Sequence, residues 1–301
     1  MKLFLFDINE SDLNGFTELF TIIPYIDDTV YKKILDHVNV WNDGLYTRLR
    51  FDNQHQRVLK LEDCDVAVIP FKYTRQDIRI NEYCKKAAAH GKNVVTFYND
   101  DDSDSFDIPN NLILFRTSAY RNHIKQNERI LPVVVPDHFP SHILLTDTVE
   151  NRDIGFCGYN TPSRAHILQR IEQMYNRTHF IKRQGFFAPE LQTKVEAKKV
   201  FYKNMLLCSF ALCMRGNGNF SYRFYEALSF GRIPVVIESN STLPFQKLIN
   251  WSNHIILIEE RDIDNIDNII NNCQLSPYQN RKLWQSYFSA EGYNKNFLLD
   301  I

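Results

Sequence analysis

The stretch SFALCMRGNGNFSYRFYEALSFGRIPVVIE, residues 209–238, decides the fold. It opens on an apolar run, 209–214, that suits a buried strand. Arg215 follows, then a loop holding Gly216 and Gly218, then a helical pattern that begins near Ser221 and stops at Gly231. A second apolar run, 233–238, completes a strand–helix–strand unit, which argues for a parallel α/β sheet. Glycine is scarce, at 10 in 301 residues, so two of them in one short loop carry weight. A strand running through a glycine-containing loop into a helix start presents unpaired N–H groups and the positive end of the helix to an anion. The loop lacks the G-K-[ST] of a Walker A motif, and its two glycines do not make the dinucleotide G-x-G-x-x-G.

The charges in this unit fit an anion. Arg215 leaves the strand directly into the loop. Arg223 lies in the first helical turn, where a cation opposes the helix dipole and is disfavoured unless an anion binds beside it. Glu226, three residues on, shares its face and has the chemistry to accept hydrogen bonds from a ribose diol. The alternative reading is a surface ion pair between Arg223 and Glu226, worth only ~0.2–0.5 kcal/mol.

Outward from this unit the same alternation continues. Strands are expected at 2–7, 66–71, 93–99, 112–117 and 130–136, then at 154–159, 179–184, 209–214, 233–238 and 254–260. Helical patterns occupy 75–90 (ending at Gly91), 163–176 (Ser163 as N-cap), 189–206 (Pro189 in its first turn), 221–230 and 276–289. Two groups of five strands imply two doubly wound, Rossmann-like domains. Residues 136–153, polar, with two prolines and no periodicity, form the join. The domains are therefore 1–148, completed by a C-terminal helix within 276–301, and 149–275.

Composition removes several classes. Hydrophobic residues at 44% and charged residues at 24% exclude a disordered chain or a coiled coil. Lys+Arg at 35 against Asp+Glu at 36 leaves no net basic field for gripping nucleic acid. None of the six cysteines has C-x-x-C spacing, which removes a zinc ribbon and leaves buried reduced thiols as the reading. The first apolar run is four residues long and meets Asp7, too short for a secretory signal. No run approaches the ~18 apolar residues of a membrane span. The expectation is a complete, soluble, cytoplasmic protein, with Asn176, Asn219 and Asn240 as chance sequons. The acidic stretch NDDDSDSFD, 99–107, reads as a solvated loop, with a divalent-cation site as the alternative.

Residues 215–236, RGNGNFSYRFYEALSFGRIPVV, resemble the signature block of the exostosin-like glycosyltransferases. LPFQKLINWSNHIILIEERDI (243–263), DCDVAVIPF (63–71) and IGFCGYNTPSRAHIL (154–168) resemble further blocks of that family, so the likeness spans most of 60–263. The resemblance implies a GT-B fold, α/β with two domains facing a central cleft. It implies a nucleotide-sugar donor, inversion at the anomeric carbon, no essential metal and no cofactor beyond the co-substrate. Carried over by residue, it places Arg215 and Arg223 on the donor pyrophosphate and Glu226 on the ribose. Asn219, Ser221 and Tyr222 fall in the same block. Arg164, beside Ser163 at a helix start, becomes another phosphate partner, and RQGFF (183–187) a base-binding segment. Many members carry an N-terminal membrane anchor; none is expected here, because no apolar run is long enough. A compact version is similar to the exostosin-like enzymes of large algal viruses, a likeness that favours xylose mildly as the transferred sugar and a host-cytoplasmic setting.

Inverting transfer needs a base for the acceptor hydroxyl and positive charge for the leaving diphosphate. The base is expected at a strand end of the first domain: Asp77 first, with Asp7, Asp100 and Asp101 as alternatives. Asp77 is equally suited to a helix start. Tyr73, Arg75, His55 and Trp41, with Tyr25 and Tyr46, are acceptor-side candidates, each aromatic having a core role as its alternative. The competing functions are a catalytically inactive sugar- or nucleotide-binding protein of the same fold and a nucleotide-dependent enzyme of another doubly wound type.

Overall fold

The computed structural model describes residues 1–7, 12, 55–185, 188–191 and 193–301. Its first sheet contains β1 (Lys2–Leu5), β2 (Gln56–Val58), β3 (Val66–Lys72), β4 (Asn93–Tyr98), β5 (Leu112–Arg116) and β6 (Glu128–Ile130). They lie in the order β2-β1-β3-β4-β5-β6, every pair parallel. The second sheet holds β7 (Ile154–Tyr159), β8 (Thr178–Arg183), β9 (Phe210–Cys213), β10 (Ile233–Ile237) and β11 (Ile256–Ile258), in the parallel order β11-β10-β9-β7-β8. Between strands run α1 (Ile78–Ala89), α2 (Pro162–Met174), α3 (Lys194–Leu207) and α4 (Tyr222–Ser229). After β11 come α5 (Ile266–Asn271), α6 (Pro277–Leu283) and α7 (Ala290–Asn296). The two parallel sheets agree with the α/β, GT-B expectation. Among the described residues no helix is long and apolar enough to cross a membrane.

Sequence and structure part company at identifiable residues. The run 130–136 joins the ladder only as far as Ile130, although Leu131, Val133 and Val135 stay buried. Pro132 and Pro136 lack the N–H groups a strand needs. β2 is short and carries polar residues, so it gives no apolar run to detect. Thr161 rather than Ser163 caps α2, accepting from Arg164 N–H at 3.4 Å, because Pro162 already occupies the first turn. Thr193 caps α3, so that helix starts beyond Pro189. Gly91 and Gly231 do end their helices, at φ +65° and +61°.

The largest core cluster crosses from one sheet to the other. It joins Leu3, Val66, Phe97 and Phe115 to Phe224, Tyr225, Phe245 and Trp251 through Trp284, Phe288, Tyr293 and Phe297. Phe297 sits 6.4 Å from Phe97 and 6.1 Å from Phe115, while Phe288 lies 5.7 Å from Tyr225. The C-terminal segment thus packs against β4 and β5 of the first domain and against α4 of the second. The carboxyl edges of the two sheets face one another. Tyr120, beyond β5, forms an antiparallel bridge with Ser241, beyond β10. Asn219 N–H donates to Ser118 Oγ at 2.7 Å.

Arg116 organises the first-domain side of this junction. Its guanidinium is 1% exposed, pairs with Glu128 at 3.0 Å and donates to the carbonyls of Ser118, Asp102 and Asp104 at 2.7–3.0 Å. The acidic stretch is therefore not a bare solvated loop. Lys72 holds Asp100 at 3.1 Å, Arg75 and Tyr98 hold Asp102, and Lys125 holds Asp107 at 2.7 Å. Removing one partner of a buried ion pair leaves the other charge uncompensated, typically at ~3–5 kcal/mol. Arg116→Met should therefore lower unfolding free energy by about that amount in denaturant titration, and adding Glu128→Gln should recover part of the loss.

Candidate active site at the opposed sheet edges

The chain reaches β8 on one side of β7 and β9 on the other, so the order of the second sheet reverses between β7 and β9. In open α/β sheets ligands bind outside the carboxyl ends of the strands at such a reversal. Arg164, in the first turn of α2, spans this crevice. It donates through Nε and Nη2 to the carbonyl of Arg215, at 3.1 and 2.6 Å, and through Nη1 to that of Tyr159 at 3.1 Å. Burial, and then repulsion from Arg223, pull its pKa below the ordinary arginine value.

Arg223 rises from the first turn of α4 into the same crevice. Its Nη2 donates to the carbonyl of Cys157 in β7. The rings of Phe156 and Phe201 lie 4.9 and 5.1 Å from the guanidinium carbon. Its Nη1 is buried with no hydrogen-bond partner. Arg215 donates to Tyr120 Oη and to the carbonyl of Asn217, each at 2.9 Å. None of the three guanidinium groups has a carboxylate within ion-pair distance among the described residues. The surface pair between Arg223 and Glu226 is not formed. Glu226 is half-buried, and burial pushes its pKa up against the pull of Arg223 and Arg183. Ser221 precedes α4 without its side chain capping the helix, so the positive helix end remains open toward the crevice.

The other donor-side residues separate. Asn219 is 1% exposed and is fixed by Ser118 and by Nδ2 donation to the Ala119 carbonyl at 3.2 Å. Tyr222 is 48% exposed, and the Ser163 hydroxyl is bonded to that of Thr161 at 3.1 Å. Residues 186 and 187 of the segment expected to bind the base lie outside the described residues.

On the opposite edge, Asp77 caps α1, accepting from Arg79 N–H and Nε at 3.0 Å each. The Arg79 side-chain hydrogen bond holds its carboxyl below the usual range. Asp100 is likewise held low: burial favours the neutral form, but Lys72 and main-chain N–H groups outweigh it. Asp7 is exposed at the end of β1. Asp101 is exposed, and its Oδ1 lies 2.9 Å from the position a Cβ on Gly218 would take. The carboxylate thus abuts the donor-side loop across the cleft.

Two acceptor-side expectations meet a different structure. Tyr73 is 5% exposed and stacks on Phe106 at 5.6 Å, which makes it core. His55 is bonded at 3.3 Å to the carbonyl of Asn294 and lies edge-on to Phe297, so it docks the C-terminal helix. Arg75 is held by Asp102 and lies 4.1 Å over Phe106. Trp41, Tyr25 and Tyr46 lie outside the described residues. Tyr120 and Ser118, which touch Arg215 and Asn219 from the first domain, were not singled out in the sequence. Their place just beyond the β5 apolar run was the available signal.

A sequence-family model described as the Exostosin GT47 domain matches residues 90–273, more than half of the chain. A probable glucuronosyltransferase of rice (Oryza sativa subsp. japonica) is 25% identical over 173 residues, covering 52% of this chain and 38% of that protein. The probable beta-1,4-xylosyltransferase IRX10L of Arabidopsis thaliana aligns with the same identity and the same shares. The chain thus spans about two fifths of the length of these relatives. Among solved structures, Anabaena HepE in complex with UDP-glucose aligns over 99% of this chain and 98% of its own, at 12% identity and a TM-score of 0.47.

The raised pKa of Glu226 fixes a pH dependence. The folded state disfavours its charged form, so stability falls as pH rises through the unfolded and then the folded pKa. Glu226→Gln removes that cost. Its melting temperature should exceed that of the wild type at pH 8 and should converge with it toward pH 4. Scanning calorimetry at both pH values checks this.

Proposed function

Because this chain belongs to the exostosin GT47 family, whose model it matches over residues 90–273, we propose that it transfers a sugar from a UDP-sugar to a glycan hydroxyl with inversion. The observation that carries this reading is the gathering of Arg164, Arg215 and Arg223 at the β7–β9 reversal without carboxylate partners. Positive groups gathered at a helix start are a site for an anion with more than one charge. Glu226, beside them and without an ion pair, supplies the acceptor for a ribose diol. The names glucuronosyltransferase and xylosyltransferase of two relatives support testing uronic acid and pentose donors first, and we favour xylose.

In the proposed step the acceptor oxygen attacks the anomeric carbon from the face opposite the diphosphate. The bond from that carbon to the diphosphate oxygen breaks, and its electron pair leaves with UDP. The charge that develops there is met by the three guanidinium groups and the open end of α4, the preorganised stabilisation that usually contributes most to such a barrier. The acceptor proton passes to Asp101. Asp77 and Asp100 are held low by Arg79 and Lys72, whereas the Asp101 carboxylate faces the loop that carries the donor. Gly218 suits this approach, since any side chain there would press on Asp101. With leaving-group charge met by arginines, the reaction is proposed to need no metal.

Arg215→Ala should weaken UDP binding about 10–100-fold in calorimetry, as loss of a charge-assisted hydrogen bond of ~1.5–3 kcal/mol gives. Unchanged affinity would remove the diphosphate assignment. Asp101→Asn should cut turnover by about 10²–10⁴-fold, the range of general-base catalysis, with UDP affinity retained. Near-normal turnover would return the base to Asp7 or Asp77. Turnover in EDTA should stay within about twofold of the untreated enzyme.

A further inference from the structure

Beneath the donor-side loop, between the two sheets, lies a cavity of about 30 Å³. It is walled by Thr117 from the first domain and by Arg215, Asn219, Ser221, Ser241 and Thr242 from the second, over an apolar floor that includes Cys213 and Phe224. Two polar atoms in this wall are buried and have no hydrogen-bond partner among the described residues: Asn219 Oδ1 and Thr242 Oγ1. Buried polar atoms without a partner cost ~1–3 kcal/mol each, so they point to a ligand group that completes them.

The orientation of Asn219 is fixed. Its Nδ2 donates to the Ala119 carbonyl, which only accepts, so the amide cannot flip without setting oxygen against oxygen. Oδ1 therefore presents an acceptor, and Thr242 presents a hydroxyl that gives or takes one hydrogen bond. A group that donates to the first and exchanges a hydrogen bond with the second completes both, and a hydroxyl has that chemistry. A carboxylate would meet Asn219 Oδ1 with like polarity. The volume admits a hydroxyl-bearing corner of a ring rather than a whole sugar.

We propose that this cavity is the subsite in which the transferred sugar seats a neutral hydroxyl, held between Asn219 Oδ1 and Thr242 Oγ1. The proposal rests on the donor-site reading above, because Arg215 and Ser221 belong to both the cavity wall and the diphosphate corner. UDP without its sugar leaves the cavity unfilled, so the two ligands report on different parts of the site.

The test is calorimetry with UDP and with UDP-xylose on the wild type, Thr242→Val and Thr242→Ser. Thr242→Val should leave UDP affinity within twofold and weaken UDP-xylose about 3–10-fold. Thr242→Ser, which keeps the hydroxyl, should restore the wild-type ratio of the two affinities. Retained UDP binding shows that each variant is folded. If UDP and UDP-xylose change by the same factor, or if neither changes, the subsite is overturned while the donor-site reading stands. Failure of wild-type protein to bind UDP overturns both.

Discussion

The guanidinium groups of Arg164 and Arg223 crowd the crevice between β7 and β9, with that of Arg215 held at its edge by Tyr120, and the repulsion within the pair is the constraint around which the site is arranged. Burial and the neighbouring Arg223 charge already draw the pKa of Arg164 down. Such crowding persists because each group is tied to the frame by main-chain oxygens or a phenol. Arg164 holds the carbonyls of Arg215 and Tyr159, Arg223 holds that of Cys157, and Arg215 holds Tyr120. A carbonyl anchors a cation without neutralising it, so the positive field remains available. An anion with two charges is the partner that such a field complements.

The first domain contributes by being locked against this corner. Arg116 and Glu128, both buried, form the peg. From it the backbone of 102–104 and of 118 is pinned, and through Ser118 and Ala119 the loop around Asn219 is pinned as well. Asp101 is thereby carried to Gly218. The C-terminal segment adds a second tie, with Phe297 packed on Phe115 of β5 and Phe288 on Tyr225 of α4. The distance between donor corner and proposed base is thus set by buried charge and aromatic packing rather than by a flexible loop.

Much of this was legible in the sequence because it is written locally. The apolar runs, Gly91 and Gly231 gave the strand–helix alternation, and 209–238 gave the strand–loop–helix unit that carries Arg215 and Arg223. What was not legible depends on contacts made at a distance. Asp77 reads as a candidate base from its place after a strand, and only the fold shows Arg79 and Asp12 gathered around it. Tyr73 looks like a platform until Phe106 is folded onto it. The run at 130–136 has strand composition, but Pro132 and Pro136 remove the hydrogen bonds that would extend β6. The acidic stretch looks solvated until Lys72, Arg75, Tyr98 and Lys125 are brought to it from other elements.

The central claim is that the arginine corner binds a diphosphate. Comparison of uridine with UDP by calorimetry at low and at physiological salt tests it most directly, because the two ligands differ only in the charged group. The account predicts that UDP binds at least about 100-fold more tightly than uridine, the ~2.7 kcal/mol expected of charge-assisted hydrogen bonds, and that the gap narrows as salt rises. Equal affinities for the two ligands, unaffected by salt, would contradict it.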